Sequence, residues 1–154
     1  MKKLIYIIIL IWAIIAGSVT AYNEIILIKG EEILLQVLPV DPKDFLRGDY
    51  VRLRYNINTA PEENNLRGDV YVVLSKNNDE TYSIKKITNR KPEKVIFLKG
   101  EKYGIHINYK SIQQYFVKEN EGKILEKQLE KGGLARISID KNGSARIKEI
   151  LISK

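Results

Sequence analysis

The sequence predicts a mostly β protein: a small antiparallel barrel or sandwich with one or two short helices, preceded by one N-terminal transmembrane helix. Three observations predict this class. Residues 4–22 carry no charge, which is typical of a membrane span. Beyond them, apolar and polar residues alternate with period 2 in several short segments. Asn, Asp, Gly and Pro stand between those segments, as expected of turns.

Composition excludes several kinds of site. The 154 residues include no cysteine and one histidine, which excludes disulfides, thiolate metal sites, cysteine nucleophiles and multi-histidine metal sites. Lysine and arginine number 26 against 19 acidic residues, a formal net charge of +7. No strand face combines basic residues with interleaved aromatic ones, so we expect no nucleic-acid binding. We also expect no metal ion and no cofactor, and we attribute the basic excess to a solvated surface near anionic lipid heads.

The N-terminal segment, residues 1–30, predicts a signal anchor. As a helix, residues 4–22 extend about 28 Å, close to the thickness of the hydrocarbon core. The apolar pattern continues to Lys29, and Gly30 is a typical residue to follow a helix end. Lys2 and Lys3 favour a cytoplasmic N-terminus. The sequence therefore predicts a single-pass protein of the cell membrane, with residues 31–154 forming an extracytoplasmic β domain.

A cleaved signal peptide is the alternative for this segment. Leu4–Ala16 has the length of a signal-peptide apolar region, and Val19-Thr20-Ala21 offers a small-residue cleavage site before Tyr22. Cleavage there would release a secreted protein. We favour the anchor because the apolar pattern does not stop at Tyr22.

Local patterns place the elements of the β domain. The segment 69–75 is apolar on both faces, which predicts a central strand. A phase shift near Lys148-Glu149 predicts a β-bulge. Short helices are predicted over Ser111–Phe116 and Glu121–Lys131, the second with Ile124, Leu125, Gln128 and Leu129 on one side, and a polar surface loop over Thr59–Leu66. The predicted strands are Ile33–Val40, Tyr50–Ile57, Asp69–Ser75, Thr81–Thr88, Lys94–Leu98, Tyr103–Tyr109, Ala135–Ile139 and Ala145–Ile152.

The strand predicted over Tyr50–Ile57 supplies the candidate contact residues. Alternation places Val51, Leu53, Tyr55 and Ile57 on an apolar face that we assign to the core. Tyr50, Arg52 and Arg54 then lie on the other face. Tyrosine and arginine are the residue types that anchor protein interfaces, so these three are the candidate partner-binding residues.

Residues 48–55 read GDYVRLRY, and Pro39-Val40-Asp41-Pro42 precedes them. This stretch resembles the family of small membrane-anchored bacterial and archaeal proteins named for the motif GDYxxLxY. Further similarities are the strand 68–74, the aromatic element 115–117 and the turn 140–143. Glutamines at 113 and 114 and Lys118 depart from the family pattern. The motif positions are Pro39, Asp41, Pro42, Gly48, Asp49, Tyr50, Leu53 and Tyr55. The resemblance implies a fold, an anchor and a place beside multi-spanning membrane proteins, and it brings no established activity.

These observations favour a membrane-anchored accessory domain that binds a polytopic membrane protein. The alternative is an envelope domain that binds a ligand or hydrolyses a substrate with Asp41, Asp44 and Asp49, although their spacing is not that of an EF-hand. These carboxylates are equally typical of turns beside prolines. The same stretch faintly resembles membrane signal peptidases, but the nucleophilic serine is missing. His106, without a placed serine and aspartate, makes no triad. We therefore do not expect an enzyme.

Overall fold

The structure is a computed structural model that describes residues 2–38, 50–60, 65–118 and 121–152. Two helices and nine strands fall in these ranges. The helices are α1 (Lys2–Lys29) and α2 (Gly122–Leu129), and a short 3₁₀ turn covers Asn56–Asn58. The strands are β1 (Glu31–Val37), β2 (Tyr50–Arg52), β3 (Gly68–Lys76), β4 (Tyr82–Thr88), β5 (Phe97–Tyr103), β6 (His106–Asn108), β7 (Gln114–Phe116), β8 (Gly133–Ile139) and β9 (Ala145–Ile152).

The described strands form three antiparallel sheets. Their orders are β1-β8-β9, β2-β7 and β4-β3-β5-β6. Isolated bridges connect them, among them Leu34 with Thr81 and Val37 with Tyr55. The predicted fold class, a mostly antiparallel β protein with an N-terminal apolar helix and a short helix, is confirmed. The strands curve into a half-barrel and do not close into a full barrel.

The core is built by the alternation that the sequence predicted. The side chains of Val51, Leu53, Tyr55 and Ile57 are all buried, so each covers apolar surface that would otherwise face water. β3 is central as predicted, between β4 and β5. The core draws on all three sheets and on α2: Ile33, Leu35, Val70, Val72, Leu98, Ile107, Tyr109, Leu129, Ala135 and Ile137 are among its members.

The predicted β-bulge is also confirmed. Arg136 on β8 lies opposite Glu149, and the next residue, Ile137, lies opposite Ile147. Lys148 is therefore the extra residue of β9, and it changes the phase of the alternation. The exposed side chain of Lys148 forms an ion pair with Glu32 of β1, and Arg136 forms one with Glu149.

The strand boundaries around Gly100 were predicted wrongly. The sequence suggested a break between Leu98 and Tyr103, whereas β5 runs through Gly100 and turns at Gly104, whose φ is +58°. Gly100 serves close packing instead of a turn. A Cβ atom there would lie 2.6 Å from Cγ2 of Ile107 and 3.1 Å from Cε1 of Tyr109, so a glycine is needed at this position.

Three further predictions need correction. The strand predicted over Tyr50–Ile57 ends at Arg52 and gives way to the 3₁₀ turn, although the burial alternation persists. The helix predicted over Ser111–Phe116 is wrong, since Gln114–Phe116 forms β7 and pairs with β2. α2 buries Leu129 but leaves Ile124 exposed, so its apolar side is narrower than predicted. The predicted loop Thr59–Leu66 is described only at its two ends.

Helix α1 ends where the sequence predicted, although Gly30 does not adopt a left-handed conformation. A Cβ atom on Gly30 would clash with Ser138 Oγ and would lie 2.5 Å from the Ile26 carbonyl oxygen. The end of α1 packs here on β8 and β9, where Ile26 is 1% exposed. The helix is long and apolar enough to cross a membrane, a property that a signal sequence near the N-terminus would share.

Candidate binding surfaces

Strands β2 and β7 form a short pair whose outer face carries the predicted contact residues Tyr50 and Arg52. Tyr50 lies opposite Phe116, and Arg52 lies opposite Gln114. Residues directly opposite one another in an antiparallel pair share a face. The rings of Tyr50 and Phe116 accordingly approach, with centroids 6.0 Å apart and planes tilted by 57°. Val51, which lies between Tyr50 and Arg52 in the sequence, points to the opposite face and is buried.

The exposure of apolar side chains sets this face apart. Phe116 is 72% exposed and Ile124 of α2 is 60% exposed. Among the described residues outside α1, these are the two most exposed large apolar side chains. Both line one cavity of about 480 Å³ between β7 and α2. We call the surface formed by Tyr50, Arg52, Phe116 and Ile124 the β2–β7 surface.

The remaining described motif residues, Leu53 and Tyr55, belong to the core. The Tyr55 hydroxyl donates a hydrogen bond to the carbonyl oxygen of Ile112 at 2.7 Å. Burial raises the pKa of the Tyr55 phenol well above its ordinary value of 10, so the group stays neutral and donates. The hydroxyl of Tyr109 makes a matching bond to the carbonyl of Ile57 at 2.9 Å. This half of the motif stabilises the fold.

Arg54 lies beyond the end of β2, with its side chain exposed and its carbonyl accepting a hydrogen bond from the Leu38 amide. Structure therefore brings Tyr50 and Arg52 together on β2 and places Arg54 two residues further on. The other motif positions, Pro39, Asp41, Pro42, Gly48 and Asp49, lie outside the described residues, as does Asp44 of the alternative acidic loop. In the ranges that the structure covers, no group of three His, Cys, Asp or Glu side chains is arranged to hold a metal ion.

His106, which the sequence analysis did not assign to a catalytic triad, faces solvent on β6. Ile105 is exposed as well, whereas Ile107 is buried. The reason is the turn at Gly104-Ile105, which takes Ile105 out of the strand. His106 is therefore not part of the β2–β7 surface.

A second surface, at the end of α1, was not predicted. Tyr22 donates its hydroxyl to Asp140 Oδ2 at 2.7 Å, and Ser138 Oγ donates to the Ile26 carbonyl at 2.6 Å. Asn23 Oδ1 accepts from the Arg146 guanidinium at 2.6 Å. These contacts fasten the last two turns of α1 to β8, β9 and the turn between them. A sequence signal existed: Tyr22 and Asn23 are polar residues at the end of an uncharged apolar run.

A cavity of about 890 Å³, which we call the helix cleft, opens beside these contacts. One wall is the end of α1, from Tyr22 to Lys29. The other walls are the β4–β5 connection, residues 92–96, and the β8–β9 turn, residues 140–142. The two loops are joined by a hydrogen bond of 2.8 Å from Lys91 Nζ to Asn142 Oδ1.

Together these features define a class of protein: a small, mostly antiparallel β domain fastened to a long N-terminal apolar helix that is suited to crossing a membrane. Residues 12–150 match the family described as GDYXXLXY protein. The chain belongs to this family, and the resemblance seen in residues 48–55 is confirmed. Neither a curated protein nor a solved structure matches the chain.

Proposed function

We propose that this chain is a membrane-anchored, non-catalytic interaction domain that binds a membrane protein partner through the β2–β7 surface. The observation that carries this proposal is the coincidence of two features. Phe116 lies opposite Tyr50 in the β2–β7 pair, and Phe116 and Ile124, the most exposed large apolar side chains of the described β domain, line one cavity. Exposed apolar residues rimmed by polar ones mark interaction sites, and Tyr and Arg supply much of the binding energy at interfaces.

The anchor in this proposal is residues 1–30, with Lys2 and Lys3 cytoplasmic and the β domain, residues 31–154, extracytoplasmic. Its support is the uncharged run 4–22 and the positive-inside rule. Because α1 is fastened to β8 and β9 by side-chain hydrogen bonds, the domain keeps a fixed orientation relative to its anchor. A domain held in this way presents the same face to a neighbouring membrane protein at all times.

The position of the β2–β7 surface fits a partner that projects from the membrane. β1 starts next to the end of α1, and its seven residues extend about 23 Å. At its far end, Val37 bridges to Tyr55 and Leu38 bonds to Arg54. Arg54 and Tyr55 of the motif therefore lie about one strand length from the end of α1.

The test is crosslinking in native membranes followed by purification of the full-length chain. The variant Arg52→Glu with Phe116→Ala removes one proposed contact residue from β2 and one from β7. The matched control, Arg67→Glu with Tyr103→Ala, changes one exposed arginine and one exposed aromatic residue elsewhere. We expect the first variant to lose the crosslinked polytopic protein, with affinity falling roughly 30-fold for a loss of about 2 kcal/mol, and the control to keep it.

Equal recovery with both variants would refute the assignment of the contact surface. Recovery of no polytopic protein with the wild-type chain would refute the proposed function itself. Membrane fractionation with intact-mass measurement tests the anchor separately. A full-length mass in the membrane pellet is the expected result, whereas a soluble chain that begins at Tyr22 would instead establish the secreted alternative.

A further inference from the structure

The helix cleft lies where a membrane-embedded α1 would leave the bilayer. The uncharged residues of α1 run from Leu4 to Asn23, and Glu24 is the first acidic residue. At about 1.5 Å per residue, this run extends about 30 Å and matches the hydrocarbon core. Tyr22, at the end of the run, lines the cleft. The cleft therefore opens at the level of the lipid headgroups.

The lining of the cleft is amphipathic. Ile25 of α1 is 53% exposed, and Val95 in the facing β4–β5 connection is 50% exposed. Ile96 and Phe97 continue the apolar wall. Such a surface costs free energy in water and gains it against a hydrocarbon chain. A volume of about 890 Å³ is large enough for part of an acyl chain together with a headgroup.

Three lysines complete the lining. Lys29, Lys94 and Lys141 each come from a different wall, and in the described residues none of them forms an ion pair. Two carboxylates, Glu31 and Asp140, also line the cleft.

Both oxygens of Asp140 are already engaged in hydrogen bonds. Its Oδ1 accepts from the amides of Asn142 and Ser144, and its Oδ2 accepts from Tyr22. Three lysines against two carboxylates leave the lining with a small excess of positive charge, and the lysines are the groups without an ion-pair partner among the described residues, which favours an anion.

We propose that the helix cleft binds one anionic phospholipid, with its phosphate among Lys29, Lys94 and Lys141 and an acyl chain against Ile25 and Val95. The proposal rests on the anchoring of α1 in the membrane and is independent of the β2–β7 surface. Continuity with the span and the charge of the rim select a lipid over a partner helix, because an apolar transmembrane helix would bring no anion to offset the excess positive charge of the lining.

Contacts between the two loop walls, away from α1, fix the shape of the cleft. Lys99 donates its amide to the Gly143 carbonyl at 3.0 Å, and Gly143 packs against the Phe97 ring so closely that a Cβ atom would lie 2.5 Å from it. With the Lys91–Asn142 bond, these contacts fix the two loops relative to each other. A preformed site loses less conformational entropy when its ligand binds.

The experiment uses the full-length protein reconstituted in vesicles of equal parts phosphatidylcholine and phosphatidylglycerol. After extraction into detergent, native mass spectrometry counts the lipids that each chain retains. We expect wild-type protein to retain one phosphatidylglycerol in preference to phosphatidylcholine. The variant Lys94→Asp with Lys141→Glu is expected to reduce this retention at least about fivefold, since a lysine near an anionic headgroup contributes about 1 kcal/mol.

The control is Lys85→Glu with Lys86→Glu, which makes the same change of charge at two exposed residues of β4 outside the cleft. Its retention of phosphatidylglycerol should equal that of the wild type. Equal loss in both variants, no preference in the wild type, or a retained polypeptide in place of the lipid would overturn the proposal. If the first variant does not fold, Lys94→Asn with Lys141→Gln replaces it, because asparagine tolerates the positive φ of 55° at Lys94.

Trp12 separates failure of the site from failure of the anchor. It is the only tryptophan and lies near the middle of the uncharged run. Quenching of its fluorescence by brominated lipid reports insertion of α1. Quenched Trp12 without retained phosphatidylglycerol would refute the lipid site and leave the anchor standing. Unquenched Trp12 would refute the anchor and the lipid site together.

Discussion

The hydroxyl of Tyr22 in α1 donates a hydrogen bond of 2.7 Å to one oxygen of Asp140, and the other oxygen of that carboxylate accepts the amides of Asn142 and Ser144 at 2.8 Å each. A single carboxylate therefore stabilises the β8–β9 turn and holds the helix against it. This arrangement makes the last turns of α1 part of the packed structure, because the turn and the helix bond to the two oxygens of the same carboxylate.

Tyr22→Phe removes the donor of this bond and leaves the turn unchanged. Loss of one hydrogen bond of this kind costs about 1 kcal/mol, so backbone amides 22–29 should exchange about fivefold faster. Hydrogen exchange measured by mass spectrometry on the full-length protein checks this. Tyr6→Phe is the control, since Tyr6 is 70% exposed on the same helix. Equal exchange in the two variants would show that the Tyr22 hydroxyl does not hold the helix.

Gly30→Ala is expected to destabilise the β domain by about 1–3 kcal/mol, the usual cost of overpacking. Its Cβ atom would lie 2.5 Å from the Ile26 carbonyl oxygen and 3.0 Å from the Ile139 amide nitrogen, and neither backbone atom can move freely. Thermal unfolding followed by circular dichroism in detergent measures the change.

Gly17→Ala is the matched control for Gly30→Ala. Nothing lies within 4 Å of a Cβ atom at Gly17, and alanine favours a helix over glycine by about 1 kcal/mol. The unfolding midpoint of the β domain should therefore stay unchanged. If the two alanine variants unfold alike, α1 does not pack as described at Gly30.

Tyr55→Phe and Tyr50→Phe divide the motif into its two roles. Tyr55→Phe leaves the buried carbonyl of Ile112 without its partner, at a cost of about 1–3 kcal/mol. The half-buried Tyr50 contributes its ring to Phe116, which phenylalanine preserves. Urea unfolding should therefore show lower stability for Tyr55→Phe alone. A comparable loss in Tyr50→Phe would contradict the assignment of Tyr50 to the surface.

Glu32 gives the domain a dependence on pH. Its hydrogen bond with Lys148 holds the pKa of the Glu32 carboxyl below its ordinary value of 4.5, with Arg136 adding to the effect. The folded state thus binds the proton more weakly than the unfolded chain. This stabilisation is present above pH 4.5 and is lost as the pH falls through the lowered pKa.

Glu32→Gln removes that contribution. The melting temperature of the wild type should therefore fall more than that of the variant between pH 6 and pH 3, an effect kept small by the exposure of the pair. Glu93→Gln, at an exposed carboxylate outside the ion pairs of the described residues, should behave like the wild type. A parallel fall in wild type and Glu32→Gln would contradict the role of this carboxylate.

Local patterns predicted the parts of the fold that depend on neighbouring residues. The alternation from Val51 to Ile57 follows burial of one face, and it survives even where the strand gives way to a 3₁₀ turn. The bulge at Lys148 was visible as a change of phase. These features were predictable because each depends on the pattern of fewer than ten consecutive residues.

Features that depend on distant contacts were not predicted. β7 forms a strand because β2, more than sixty residues earlier, provides its partner, and no local pattern records this pairing. A strand break was predicted around Gly100, whereas the strand continues there and the close approach of Ile107 and Tyr109 across the sheet requires a glycine.

The same distinction applies to the two surfaces. The outer face of Tyr50 and Arg52 followed from alternation. The sequence predicted Phe116 at the end of one helix, Ser111–Phe116, and Ile124 on the apolar side of a second helix, Glu121–Lys131. Only the tertiary structure shows that the two side chains line one cavity. The helix cleft required the packing of α1 on β8 and β9, which pattern alone does not contain.

If the chain is anchored as proposed, the bulge at Lys148 affects how neighbouring copies meet on one membrane. β9 is one of the two outer strands of its sheet. An outer strand with a regular row of free amides and carbonyls allows strands of other molecules to add to it. The extra residue breaks that row and increases the local twist. In the proposed anchored form, tethering raises the effective concentration of neighbouring copies. An irregular outer strand hinders strand pairing between neighbouring copies, and so it protects a densely packed anchored protein from edge-to-edge aggregation.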